Sequence, residues 1–101
     1  MRKIIGGKKY DTETATCVGS DSYSYPGDFG YWEECLYRKN NGEFFLHGEG
    51  GPMTKYAVDI STNETSGSSR ITPMSIEEAK EWAEKHLSGE DYEEIFGIVE
   101  E

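Results

Sequence analysis

The sequence predicts an α+β fold, in which a small antiparallel sheet of three to five strands packs against C-terminal helices. Short apolar runs separated by turn signals occupy residues 3–60, and apolar residues recur at helical spacing only after Ser75. Because strands come first and helices last, an alternating parallel α/β fold is not expected. A chain of 101 residues has room for a single domain, residues 1–101, with one modest core.

Aromatic side chains provide much of the expected core. Hydrophobic residues make up only 35% of the chain, but seven Tyr, four Phe and two Trp bring 13% aromatic residues, each of which buries a large apolar area. No apolar run approaches the roughly 20 residues that cross a bilayer, and residues 1–6 lack the apolar stretch of a signal peptide. We therefore expect a cytoplasmic protein with no membrane partner.

The N-terminal third combines a hairpin signal with polar segments. Residues 3–5 and 8–10 flank Gly6-Gly7, a pair that permits the positive φ angles of a tight hairpin turn. Asp11 is a candidate N-cap, and residues 11–15 are predicted to form a short helix. Residues 19–30 are predicted to be a loop because they are rich in Gly, Ser and Asp.

The central hairpin, residues 31–47, is the clearest element. Asn41-Gly42 suits a two-residue type I′ turn between the flanking apolar runs. That turn would pair Tyr37 with Leu46, Leu36 with His47, Lys39 with Phe44 and Arg38 with Phe45. One face would then hold Cys35, Tyr37, Phe44 and Leu46, and the other would hold Trp32, Leu36 and Phe45. Because both faces carry apolar groups, the hairpin is expected at the centre of the sheet.

The second half of the chain predicts further strands and then two helices. Residues 48–52 are expected to break the strand, 56–60 to form a long strand, 61–69 a flexible loop and 70–74 a short edge strand containing Pro73. Ser75 and Glu78 match the S-x-x-E capping box at the start of a helix that Gly89 would end. Residues 91–96 add a second helix, with inward positions at Tyr92, Ile95, Phe96 and Val99.

Charge is distributed unevenly along the chain. Twenty acidic and ten basic residues give a formal net charge of −10. Residues 1–74 carry a net charge of −2, whereas residues 75–101 carry −8. Such a chain is repelled by nucleic acid and anionic lipid and is attracted to basic protein surfaces. The simpler alternative is that the excess charge keeps a small domain soluble.

Side chains with catalytic or metal-binding chemistry do not form a known motif. Residues 48–51 are rich in glycine but lack the Lys-Ser/Thr of a phosphate-binding loop. Cys17, Cys35, His47 and His86 could supply zinc ligands, but no two of them have the close spacing of structural zinc sites, and the register above places Cys35 and His47 on opposite faces. We therefore expect no enzyme, no cofactor and no metal, and two free, mostly buried cysteines.

Several stretches resemble one group of proteins. Residues 3–15 (KIIGGKKYDTETA) are similar to the KIINGKKYDTETA opening of small acidic proteins carried by bacterial phages and other mobile elements. Residues 28–29, 33–39, 44–53 and 77–83 are similar to the same group. Gly6 replaces the usual Asn, which is expected to alter only the turn. Some small acidic proteins of this general kind are anti-CRISPR proteins, which inhibit RNA-guided nucleases. The analogy implies the same activity for this chain.

The analogy and the charge together imply an inhibitor that binds a CRISPR effector, preferably a type II nuclease, and no nucleic acid directly. A monomer and a homodimer are both compatible with the sequence, because an exposed hairpin edge can pair with a second copy. The carboxylates of the inhibitor would replace phosphates in the basic channel of the effector, and aromatic residues would anchor the interface. The expected binding residues are Glu77, Glu81, Glu84, Glu90, Asp91, Glu93, Glu94, Tyr23, Tyr25 and Phe29. The alternative is a small acidic regulatory protein of phage or host, such as an antitoxin, without nucleic-acid mimicry.

Overall fold

The computed structural model describes all residues from 1 to 101 and contains eight strands followed by two helices. The helices are α1 (Ile76–His86) and α2 (Gly89–Phe96). This order confirms the predicted α+β class. The strands are β1 (Arg2–Ile5), β2 (Lys8–Asp11), β3 (Thr16–Tyr23), β4 (Trp32–Arg38), β5 (Phe44–Gly50), β6 (Val58–Ser61), β7 (Glu64–Ser66) and β8 (Ser68–Met74).

The main sheet has four antiparallel strands in the order β3-β4-β5-β8, and β1-β2 and β6-β7 form two separate hairpins. Hairpin β4-β5 lies at the centre of the main sheet, as predicted. Strand β8 lies at an edge, where Pro73 is opposite Phe45. Proline is tolerated there because an edge strand can leave one side without backbone donors. The predicted N-terminal hairpin is also confirmed, with positive φ angles at Gly6 and Gly7.

The register of the central hairpin differs from the prediction by one residue. Leu36 is opposite Leu46, and Tyr37 is opposite Phe45. The connection is longer than a two-residue turn because the Lys39 N–H donates to the Glu43 carbonyl at 2.8 Å, so that residues 40–42 form the loop. Since side chains alternate between faces, this shift places Phe45 on the face of Tyr37 and places both Phe44 and Leu46 with Leu36. The predicted division of faces was therefore wrong.

Two predictions for the first third of the chain were also wrong. Asp11 ends β2 instead of capping a helix; its carboxylate accepts from the Glu13 N–H at 2.9 Å, and its carbonyl accepts from the Ala15 N–H at 3.0 Å, which closes a single turn. The loop predicted from residue 19 begins only after Tyr23, because β3 pairs with β4 over its whole length, with a bulge between Cys17 and Gly19. Polar composition did not exclude a strand at the sheet edge.

The segment after the central hairpin folds differently from the prediction. Strand β5 continues to Gly50, so the glycine-rich stretch does not break it. Residues 58–66 form hairpin β6-β7 in place of one long strand and a loop. The alternation of Val58 and Ile60 does not reflect core burial, because these side chains are 44% and 61% exposed. Tyr56 lies before this hairpin, in a loop, and is buried.

The helices begin as the capping signals indicate. The Ser75 hydroxyl accepts from the Glu78 N–H at 3.1 Å, and the Glu78 carboxylate accepts from the Ser75 N–H at 2.9 Å. Gly89 does not end α1, contrary to the prediction: α1 ends at His86, and Gly89 is the first residue of α2, after its N-cap Ser88. The inward positions Tyr92, Ile95 and Phe96 pack against the core, whereas Val99 is 56% exposed.

Apolar side chains are buried on both faces of the main sheet. The helices cover one face, where Leu36, Phe44 and Leu46 pack against α1. On the other face Phe45 contacts Tyr10 of the N-terminal hairpin edge to face, with ring centroids 5.6 Å apart. The larger cluster consists of Leu36, Phe44, Leu46, Ala79, Trp82 and Ala83, and the smaller one consists of Tyr10, Phe45 and Ile71.

Truncation of Leu36 tests the larger cluster. Leu36 is completely buried, so Leu36→Ala removes packed methyl groups and is expected to lower the free energy of unfolding by about 2–5 kcal/mol. Ile60→Ala removes an exposed side chain and is the control, with an expected change within about 0.5 kcal/mol. Urea denaturation measures both variants. Equal losses in the two variants would contradict the assignment of this core.

Candidate functional site

The predicted acidic residues lie on the helices and have no partners of opposite charge. Glu77, Glu81 and Glu84 are exposed and share one face of α1, at spacings of four and three residues. On α2, Glu93 is half-buried, and its carboxylate accepts from the N–H of Val99, beyond the end of the helix, at 2.8 Å. None of the seven acidic residues that were predicted to bind a partner forms an ion pair with a Lys, Arg or His of the chain. The exposed members on α2 are Glu90, Asp91 and Glu94.

The predicted aromatic residues lie at the end of β3 and in the loop that follows it. Tyr23, Tyr25 and Phe29 are 60%, 65% and 66% exposed. Met53, which was not predicted, is 75% exposed, and its backbone is held to the same loop because its N–H donates to the Phe29 carbonyl at 2.9 Å. These four residues are called the aromatic patch below. Exposed aromatic side chains are candidate anchors for a protein interface.

The loop that carries the aromatic patch is fixed by Asp28. Its carboxylate accepts from the Ser24 hydroxyl at 2.6 Å and from the Gly30 N–H at 2.8 Å. Both hydrogen bonds lower the pKa of Asp28, and the one from Ser24 has the larger effect. Ser24 itself adopts a positive φ of 67°. The loop therefore has a defined conformation that presents Tyr25 and Phe29 to solvent.

A cavity of about 500 Å³ lies beside the aromatic patch. Its volume falls within the range of about 300–1,000 Å³ that is usual for ligand sites. Residues from β3, β4, the 51–57 loop and the end of α1 form its wall, so no single sequence segment indicates it. The lining residues are Tyr23, Gly30, Trp32, Glu34, Met53, Thr54, Lys55 and His86.

Glu34 places a buried carboxylate in the wall of this cavity. The residue is 1% exposed. Its Oε1 accepts from the Trp82 indole at 2.9 Å, and its Oε2 accepts from the Tyr56 hydroxyl at 2.5 Å and from the Lys55 ammonium at 2.6 Å. Burial acts to raise the pKa of Glu34, but the hydrogen bonds from Lys55, Trp82 and Tyr56 together hold it below its ordinary value. The carboxylate is therefore charged at neutral pH.

Gly48 makes room for this arrangement. It lies directly opposite Glu34 in the sheet, and a β-carbon at Gly48 would lie 1.7 Å from the Tyr56 hydroxyl. A larger residue would prevent Tyr56 from reaching the carboxylate. Burial, followed by the hydrogen bond to Glu34, raises the pKa of Tyr56, so the phenol remains a donor. The glycine in this strand marks a close approach of the 51–57 loop to the sheet.

His86 closes the cavity at the end of α1. Its Nδ1 lies 2.9 Å from Oδ2 of Asp21, and its Nε2 lies 3.9 Å from Oε1 of Glu34. The ring stacks on Trp82 with centroids 4.8 Å apart and meets Trp32 edge to face at 5.7 Å. These contacts fix the ring, and with it the side of the cavity that α1 supplies.

The cysteines and His47 lie outside this site. Cys35 and His47 are directly opposite each other and share a face, contrary to the predicted register. Both cysteines are free, but Cys17 is exposed and Cys35 half-buried, so the prediction of mostly buried thiols was wrong for Cys17. Burial and the neighbouring Cys17 raise the pKa of Cys35 to about 12. The chain contains no group of three or more His, Cys, Asp or Glu residues arranged to hold a metal ion.

Comparisons with protein-family models, curated proteins and solved structures find no match to this chain. None of its helices has the length and apolar character that spanning a bilayer requires. The features of the chain that bear on its function are therefore the unpaired helix carboxylates, the aromatic patch and the cavity beside it.

Substitution of Gly48 tests the packing behind the cavity. In Gly48→Ala the new methyl group displaces Tyr56 and removes a donor from the buried Glu34, so the free energy of unfolding is expected to fall by about 2–4 kcal/mol. Gly89→Ala is the matched control, because the added methyl group lies more than 4 Å from every side chain and backbone atom outside its own helix turn and neighbouring residues; its expected change is within about 0.5 kcal/mol. Thermal and urea denaturation measure both. A Gly48→Ala variant as stable as the control would refute the close approach of Tyr56.

Proposed function

We propose that the protein binds a basic surface of another protein through the acidic face of α1 and the aromatic patch. The observation that carries this proposal is the absence of any cation paired with Glu77, Glu81 or Glu84, although the three share one helix face. Like charges at this spacing destabilise an isolated helix slightly. A positively charged partner would convert that repulsion into attraction.

The chemistry of the partner follows from the sign and density of the charge. Residues 75–101 carry a net charge of −8, which suits the positively charged channels of proteins that hold nucleic acid. A CRISPR effector has such a channel and reads a short flanking motif with basic side chains. The resemblance of residues 3–15 to small acidic proteins of mobile elements supports the same choice. The proposed function is an anti-CRISPR inhibitor of a CRISPR effector, preferably a type II nuclease, in the cytoplasm of a bacterial host.

The two surfaces contribute different parts of the binding. The helix carboxylates replace phosphates on the effector, and their long-range attraction makes association fast and dependent on salt. The aromatic patch buries large side chains at the interface, which slows dissociation. Occupation of the channel prevents the effector from binding or cleaving its target DNA.

Charge reversal on α1 tests this proposal. We expect the protein to abolish the gel shift of target DNA with one guide-loaded effector from a panel, at low and at moderate salt. The triple variant Glu77→Lys, Glu81→Lys, Glu84→Lys is expected to weaken that inhibition at least about tenfold, since each rim charge contributes to steering. Inhibition by the native protein is also expected to weaken as the salt concentration rises.

A matched variant controls for net charge. Glu13→Lys, Asp59→Lys, Glu64→Lys changes three exposed acids away from the helices by the same total charge and is expected to inhibit like the native protein. Equal effects of the two triple variants would show that net charge alone, without a binding face, explains the inhibition. If no effector is inhibited, the anti-CRISPR proposal fails, and a tight complex with one co-encoded basic toxin would favour the antitoxin alternative.

A further inference from the structure

The cavity beside the aromatic patch combines a buried charge with aromatic walls. Glu34 provides a charged carboxylate that is 1% exposed, and Trp32, Tyr23 and His86 line the space in front of it. Carboxylates and aromatic rings both attract cations. We propose that this cavity binds the guanidinium group of an arginine side chain that a partner protein presents.

Lys55 shows that the carboxylate accepts a cation from the solvent side. Its ammonium lies 2.6 Å from Oε2 of Glu34, yet its side chain is 64% exposed. The other two donors, Trp82 and Tyr56, are buried and belong to the packed structure. Because its side chain is largely exposed, the ammonium can leave Glu34 without disturbing any packed residue. Lys55 therefore occupies the cation position in the free protein and can leave it when another cation arrives.

The shape of the wall favours arginine over lysine. A guanidinium group is planar, stacks on aromatic faces and can donate two parallel hydrogen bonds to one carboxylate. Trp32 and His86 both line the cavity, and their rings meet edge to face with centroids 5.7 Å apart. After Lys55 leaves, both oxygens of Glu34 retain a lone pair, since Oε1 accepts only from Trp82 and Oε2 only from Tyr56. The compact, strongly hydrated ammonium of lysine makes less use of these groups.

Charge balance supports the same occupant. Glu34 is the only Asp or Glu in the cavity wall, and Lys55 is the only Lys or Arg. A second carboxylate, that of Asp21, lies behind the wall, 2.9 Å from Nδ1 of His86. With Lys55 displaced, an incoming arginine restores the charge that the buried carboxylate needs. This inference rests on the proposed function in one respect only, namely that the arginine comes from a basic protein surface. Binding of an isolated arginine derivative is measured without any effector, so the two proposals can fail separately.

The direct test is a titration of the full-length protein with Nα-acetyl-arginine amide, followed by NMR of the indole N–H signals of Trp32 and Trp82. We expect saturable shifts with a Kd of roughly 1–10 mM. Nα-acetyl-citrulline amide has nearly the same shape without the charge and is expected to cause no saturable shift. Nα-acetyl-lysine amide is expected to bind at least about fivefold more weakly than the arginine derivative.

Two variants decide whether the carboxylate and Lys55 act as proposed. Lys55→Met removes the internal competitor and is expected to tighten arginine binding about two- to fivefold; because Lys55 is largely exposed, this variant is expected to fold. Glu34→Gln is expected to abolish binding, with its fold checked by thermal denaturation. If Glu34→Gln does not fold, Tyr23→Ala replaces it, since Tyr23 is 60% exposed, and is expected to weaken binding at least about threefold.

The proposal is overturned by any of three results. The first is equal shifts with the arginine and citrulline derivatives, which would exclude recognition of charge. The second is equal or tighter binding of the lysine derivative, which would exclude a guanidinium site. The third is an unchanged or weaker arginine affinity in Lys55→Met, which would show that Lys55 does not occupy the cation position.

Discussion

A single buried charge, the carboxylate of Glu34, connects three of the segments that form the cavity wall. Glu34 lies on β4, its partners Tyr56 and Lys55 belong to the loop after β5, and Trp82 belongs to α1. Losing the hydrogen bond from Trp82 or Tyr56 would leave a buried carboxylate oxygen without its donor, which typically costs about 1–3 kcal/mol. The loop and the helix are therefore tied to the sheet at one point, and Gly48 provides the space that this requires. The position of the cavity, and the place of the aromatic patch beside it, follow from that connection.

Local signals in the sequence were sufficient to predict several elements of secondary structure, but they were insufficient to predict which residues pair across the central hairpin. The turn at Gly6-Gly7 and the capping box at Ser75 depend on neighbouring residues alone, and both were predicted correctly. The central hairpin was also found, but its loop spans residues 40–42, with a positive φ at Gly42 that is compatible with more than one turn. A shift of one residue exchanges the faces of every side chain, so an error in one turn changed the predicted partners along both strands.

The candidate site was only partly predictable for a related reason. Exposed aromatic residues in a polar loop indicate a surface role, and Tyr23, Tyr25 and Phe29 are all exposed in the structure. The cavity depends on pairs that are far apart in sequence, such as Trp82 with Glu34, separated by 48 positions, and His86 with Asp21, separated by 65. Nothing in the sequence distinguishes the adjacent acids Glu33 and Glu34, and only the folded structure shows that Glu34 is the buried one. The one available signal was a glycine inside a strand, Gly48, which indicates the close approach of another segment.

The central claim is that Glu34 is charged in the folded protein, and an NMR titration of its side-chain carboxyl carbon tests it most directly. The ordinary pKa of this group is 4.5, and we expect a lower value in the folded protein because three donors outweigh burial. Since the pKa is lower when folded, the stabilisation is fully present above pH 4.5 and is lost as the pH falls through the folded value. A titration midpoint above 4.5, with stability that rises as the carboxyl becomes protonated, would contradict the account. It would show that burial prevails and that the cavity contains a neutral acid.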